Sequence, residues 1–202
     1  MFYKPHERDT NILPHNPLTA LIAPRPVGWI STMSKSGAVN LAPYSFFNAI
    51  AYNPPMVMVS SDSWKDTLTF ASETGEFVWN MATWDLREQM NLTSAELERG
   101  VNEFGHAKLE TAPCNLVKAP RVAASPVSFE CKVATIMPII DASGKEMKNH
   151  IMLGEVIGIH IDDRYIRDGR ADTAAMKPIA RCGYSDYAVV TELFEMVRPG
   201  RE

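Results

Sequence analysis

Between Arg25 and Thr67 the chain gathers side chains suited to holding a phosphate and a flat ring. Hydroxyls stand at Ser31, Thr32, Ser45, Ser60, Ser61 and Thr67, aromatic rings at Trp29, Tyr44, Phe46 and Phe47, and a cation at Lys65. A phosphate dianion takes hydroxyl, backbone N–H and ammonium donors, best at a helix N-terminus. Ser63-Trp64-Lys65-Asp66 fits a capping box, which puts Lys65 and Thr67 in the first turn of a helix. A ring of flavin type takes a largely apolar wall with backbone groups at its polar edge. The mixture therefore suits a flavin mononucleotide. Taken alone, the same residues serve plainer ends. Ser63 and Thr67 are also ordinary caps or surface hydroxyls, Lys65 a solvated charge, and the rings a core.

Other chemistries lack their patterns. No GxGxxG, P-loop or GxSxG sequence occurs. His6, His15, His106, His150 and His160 form no HxxxH or HExxH spacing, so no metal is expected. Cys114, Cys131 and Cys182 are odd in number, widely spaced and without a CxxC, which predicts buried free thiols in a reducing, cytoplasmic setting. The Asn91-Leu92-Thr93 sequon is then incidental. The net charge of −4 gives no drive toward nucleic acid or anionic membrane, and no long apolar run marks a leader or a span.

The elements that must position these residues are mostly strands. Pro5, Pro14, Pro17 and Pro24 predict an irregular arm over 1–24. Val27–Met33 and Val39–Leu41 flank the turn residues Ser34-Lys35-Ser36-Gly37 and predict a hairpin. Asn53-Pro54-Pro55 is a rigid break, after which Met56–Ser61 predicts a buried strand. A short helix through Glu73 should end at Gly75, and Glu76–Ala82 should extend. Asp85 with Glu88 predicts a second capped helix through about Ala95. Val127–Ile140 and Ile151–Asp162 are the longest strand candidates, and Gly154 and Gly158 suggest bulges. Tyr187–Met196 could add a last strand. Many strands with few short helices predict a mainly β barrel, as one domain over 1–202.

The run RPVGWISTMSKSGAVNLAPYSFFNAIAYNPPMVMVSS closely resembles the flavin reductase-like family, in its flavoredoxin-like subgroup. Lys65-Asp66-Thr67, Asn80 in EFVWN, VKAPRVAASPVSFECKV, GEVIGIHIDD and PIARCGYSDY extend the likeness over nearly the whole chain. The resemblance implies a Greek-key split β-barrel, a homodimer and one FMN per subunit near the dimer interface. It implies that Ser31 and Thr32 are strand hydroxyls near the flavin, and that Ser45, Phe46, Phe47 and Asn48 meet the ring. It makes Ser60, Ser61, Lys65 and Thr67 the phosphate set. Arg25 and Trp29 carry over less directly, Asn80 is as easily structural, and the Gly183–Tyr187 loop approaches the ring. The Pro-rich arm is then expected to pack across the partner subunit.

On that resemblance the chain is expected to be an NAD(P)H-dependent flavin reductase, with a nicotinamide nucleotide as transient co-substrate and a partner oxygenase or redox protein as acceptor. A flavoprotein electron carrier and a non-catalytic flavin-binding module are the competing readings. No catalytic side chain is assigned.

Overall fold

In the computed structural model, which describes residues 1–98 and 100–200, the extended runs of the sequence become strands. The chain opens with a 3-10 turn at Pro5–Glu7 and helix α1 (Leu18–Leu21). Strands β1 (Arg25–Pro26), β2 (Gly28–Met33), β3 (Val39–Tyr44), β4 (Phe47–Tyr52) and β5 (Pro55–Ser61) follow. Helix α2 (Asp66–Thr74) leads into β6 (Glu76–Asn80). Helices α3 (Arg87–Leu92) and α4 (Glu103–His106) precede β7 (Thr111–Ala112) and β8 (Arg121–Val122). The long hairpin of β9 (Val127–Ile140) and β10 (Glu146–Ile161) comes next. Strands β11 (Ile166–Arg167) and β12 (Arg170–Ala171), helix α5 (Thr173–Met176), and strands β13 (Ile179–Gly183) and β14 (Asp186–Val189) are the last elements.

Seven strands make one antiparallel sheet in the order β3-β2-β6-β9-β10-β5-β4. Its two ends curl toward each other. Ile30 and Tyr44 from one end share an apolar cluster with Phe47, Val57 and Val59 from the other. A Cβ on Gly28 would lie 2.7 Å from the Phe47 side chain, so only glycine lets β2 and β4 come this close. Among the described residues no strand pairing closes the seam between β3 and β4. The result is a split barrel, mainly β with short helices, as the sequence predicts. Side chains such as Ile30, Leu41 and Phe77 are fully buried, and each contributes about 1.5–3 kcal/mol. A second cluster, with Trp29, Leu41, Met90 and Phe104, joins the outside of β2 and β3 to α3 and α4.

Gly154 and Gly158 flank register shifts in the β9–β10 pairing, as expected of bulges. At Gly154 a Cβ would strike the Phe77 ring at 2.3 Å. Gly75 closes α2 in the left-handed region, with its N–H bonded to the Ala71 carbonyl.

Several boundaries differ from the sequence reading. Phe47–Tyr52 forms β4, which the pattern does not announce because five of its six residues are exposed and no alternation appears. Pro55 opens β5 opposite Tyr52, a strand's first residue being a place that tolerates proline. That strand alternates in burial rather than being buried throughout. Neither capping box forms. Helix α2 starts at Asp66, too late for Ser63 to cap it, and α3 starts at Arg87 with Leu86 at its cap. The last strand stops at Val189, and β10 begins at Glu146 rather than Ile151. The arm is not wholly irregular either. Its α1 turn packs on β13 of the same chain, where a Cβ on Gly183 would lie 2.5 Å from Ala20.

Candidate functional site

The chain crosses the barrel seam between β3 and β4 through Ser45 and Phe46 alone. Two cavities open at this crossing, of about 740 Å³ and about 430 Å³. Both are lined by Pro43, Tyr44 and Ser94, so they adjoin. Each lies within the range of small-molecule sites.

The smaller cavity holds Lys65 and Thr67 at the start of α2. Lys65 at the N-cap offers no capping oxygen to this nine-residue helix, and Asp66 stands in its first turn. Thr67 is buried and its Oγ1 accepts from Asn40 Nδ2 at 2.8 Å, which holds it in place. Ser61 is buried and donates to the Ser63 carbonyl at 2.7 Å. Lys65 is half-exposed and pairs with Asp62 at 2.8 Å. That hydrogen bond chiefly raises the Lys65 pKa and holds the Asp62 carboxyl below the usual range.

Tyr44 stands where the two cavities meet. It is 8% exposed, and its hydroxyl makes no hydrogen bond among the described residues. Burial raises its pKa, and the nearby Thr67 and Ser61 hydroxyls only partly offset this. Thr67 Oγ1 accepts from Asn40 and Ser61 Oγ donates to the Ser63 carbonyl, and neither is placed to bond Tyr44 Oη, which stays a buried donor without a partner. A buried Tyr hydroxyl normally finds a partner. An uncapped helix start, an ammonium, a positioned threonine and an orphaned phenol together fit the phosphate end of a flavin nucleotide. Asp66, Glu96 and Glu103 add carboxylates to the same lining. Burial pushes the Glu103 carboxyl up, and Leu41 N–H donates to it at 3.1 Å.

The larger cavity carries two arginine–aromatic stacks. The Arg87 guanidinium lies 4.0 Å from the centre of the Trp84 ring, and that of Arg181 lies 4.5 Å from Tyr187. All four line the cavity, together with Ser45 and with Ser185 of the β13–β14 turn. Stacking holds a guanidinium flat and keeps its in-plane donors aimed.

The remaining sequence candidates lie apart from these walls. Trp29 is fully buried and donates to Thr93 Oγ1 at 2.9 Å, so it sits behind the smaller cavity and lines neither. Ser31 is fully buried and donates to the Pro120 carbonyl at 2.6 Å. Thr32 is fully buried beside Asn40. Phe47 is core, stacked on Trp79 at 5.5 Å. Phe46 and Asn48 are exposed, and Ser60 is half-buried on β5. Arg25 is buried and donates to the carbonyls of Thr19 and Ile22, which ties down the arm. Asn80 is structural. It donates to the Trp29 carbonyl and Ser31 Oγ at 3.2 Å, and accepts from Val122 N–H at 2.8 Å and Ser128 Oγ at 3.0 Å. The sequence reading missed the Tyr44 hydroxyl, Asn40 and both arginine stacks. The one signal was a tyrosine inside an apolar block, whose hydroxyl must be answered when buried.

A family described as Flavin reductase like domain matches residues 21–173. An uncharacterised protein of Aquifex aeolicus is 37% identical over 173 residues, covering 83% of this chain and 85% of its own. Among solved structures, nitrilotriacetate monooxygenase component B from Bacillus cereus is 30% identical with a TM-score of 0.88, covering 97% of this chain and 98% of its own. The flavoredoxin of Desulfovibrio vulgaris (Miyazaki F), at 20% identity and TM-score 0.76 over 88% of this chain and 92% of its own, shares the fold. The extent of these matches, on a split barrel with a nucleotide-sized cleft at its seam, shows that the chain belongs to the flavin reductase-like family of flavin-binding oxidoreductases.

Proposed function

We propose that the seam binds FMN and that the protein is a flavin reductase that draws electrons from NADH or NADPH. The observation that carries the reading is the orphaned Tyr44 hydroxyl beside the uncapped start of α2, where Lys65 and Thr67 complete a phosphate corner. Lys65, Thr67 and Tyr44 would hold the phosphate, and Pro43 and Ser45 would line the rest of the flavin site. Bound flavin supplies the electron-transfer chemistry. The larger cavity leaves room for a second planar ligand, and Arg87 and Arg181 supply fixed donors for its anionic group. Hydride transfer needs no protein acid or base, so no side chain is given a proton-transfer role.

The likeness to a monooxygenase component B supports a partner oxygenase as acceptor. A homodimer suits the exposed apolar edge of β4, where Ile50 is 48% and Tyr52 100% exposed. Three free cysteines suit the reducing cytoplasm. No described helix is long and apolar enough to cross a membrane. Holoprotein is mixed with NADH and with NADPH without oxygen while flavin absorbance is followed. Fast bleaching with either nucleotide is expected. Bleaching by neither, with ready reduction by dithionite, would overturn the reductase reading and leave an electron carrier. Light scattering of the holoprotein should give twice the mass of one chain, and a stable single-chain particle would contradict the dimer.

A further inference from the structure

A second group of chemically able side chains lies outside both cavities. Cys114 follows β7, Glu130 lies on β9 and His160 on β10. Their ligand atoms, the thiol sulfur, a carboxylate oxygen and a ring nitrogen, all lie within 4.8 Å of one another. Glu130 is buried, while Cys114 and His160 are partly exposed.

The packing that gathers them is specific. The β9–β10 register sets Glu130 opposite Gly158 and Ser128 opposite His160, beside a bulge. A Cβ on Gly158 would lie 3.3 Å from Leu116 and 3.4 Å from the Glu130 side chain, so the glycine gives the loop after Cys114 room to close over the strand. That loop then donates three backbone N–H groups to one carboxylate. Asn115 reaches Oε1 at 2.8 Å, and Leu116 and Val117 reach Oε2 at 2.6 and 2.9 Å. His160 Nε2 lies 2.6 Å from Oε1. A carboxylate that only staples a loop explains the backbone bonds. It does not explain why a thiol also stands within 4.8 Å of both a Glu130 carboxylate oxygen and a His160 ring nitrogen.

We propose that Cys114 Sγ, Glu130 Oε1 and His160 Nε2 bind one divalent cation of the zinc class, leaving a fourth position to solvent. A mixed sulfur, nitrogen and oxygen set suits zinc, which is borderline soft and accepts irregular tetrahedral sites. The backbone N–H groups on Glu130 supply the outer support that ligating carboxylates usually have. On binding, the metal replaces the hydrogen between Nε2 and Oε1; a neutral imidazole then carries its proton on Nδ1, and an imidazolium releases its extra proton to solvent. The thiol proton is released to solvent, and no oxidation state changes. Bound metal would tie the loop to both long strands.

The test is calorimetric titration of the full-length protein with zinc chloride. One Zn²⁺ per chain is expected. Cys114→Ser and His160→Ala, checked for folding by circular dichroism, should each weaken binding by more than about a hundredfold, since even loss of an outer partner costs tenfold to a hundredfold. No binding to the wild type, or equal binding to both variants, overturns the site. Should the variants fail to fold, zinc X-ray absorption on the wild type decides. One sulfur neighbour near ~2.3 Å with nitrogen or oxygen near ~2.0 Å supports the site. A shell without sulfur refutes it.

Discussion

Tyr44→Phe separates the flavin-free from the flavin-bound protein by opposite signs. The ring keeps its place in the core beside Phe47 and Val59, and only the hydroxyl is lost. Without ligand, that hydroxyl is buried and unpaired. An unsatisfied buried polar group costs about 1–3 kcal/mol, so its removal should stabilise the flavin-free protein or leave it unchanged. In the proposed FMN complex the same hydroxyl would donate to a phosphate oxygen. Hydrogen bonds to charged groups are worth about 1.5–3 kcal/mol, so FMN affinity should fall by roughly tenfold to a hundredfold. Riboflavin lacks the phosphate and should bind both proteins alike. Thermal melts of flavin-free protein and fluorescence titrations with FMN and riboflavin read all three quantities. A variant that melts lower when flavin-free and binds FMN as tightly as the wild type would refute the phosphate corner.

Lys65→Ala should weaken FMN binding by about tenfold, near the low end for a charged donor, because Lys65 is half-exposed and already shared with Asp62. Equal FMN titrations of variant and wild type would remove Lys65 from the site. Asn80→Ala strands the Val122 N–H and the Ser128 hydroxyl in the core, at a cost of roughly 2–5 kcal/mol. A fall in Tm of roughly 5–15 °C should follow in calorimetry, and a fall under 2 °C would contradict the network's role. Glu103 has its carboxyl pushed up by burial, so the folded state favours the protonated form. Stability is thus lost as pH rises from the unfolded pKa through the higher folded one. Glu103→Gln should be neutral below that window and stabilising above it, as urea melts against pH will show. It should also tighten FMN binding at neutral pH by roughly fivefold, the worth of one like charge removed beside a partly solvated phosphate at about 1 kcal/mol. Looser binding would mean that the phosphate lies away from the acidic wall.

Much of the fold was legible along the chain because the signals are local. The turn at Ser34–Gly37, the cap at Gly75 and the extended run Val127–Ile140 each depend on neighbouring residues, and each stands where the pattern puts it. The smaller cavity was half legible. Lys65 and Thr67 are two residues apart and come to the site on one helix start. Strand β4 was not legible, since its exposed residues carry no burial pattern to read. Ser31, Thr32 and Phe47 look the same in sequence whether they face a ligand or the core, and the curl of the sheet turned them to the core.

The sequence by itself determined the family, the strand-rich class and the stretch of chain that borders the cleft, because those rest on residue order. Only the tertiary structure decided which hydroxyl is left without a partner, and that Arg87 and Arg181, far apart in the chain, share a cavity. It alone brought Cys114, Glu130 and His160 together. The physical reason is closure. A seven-stranded sheet that curls until its ends share a core brings residues from distant segments within a few ångströms, and no spacing along the chain encodes that distance.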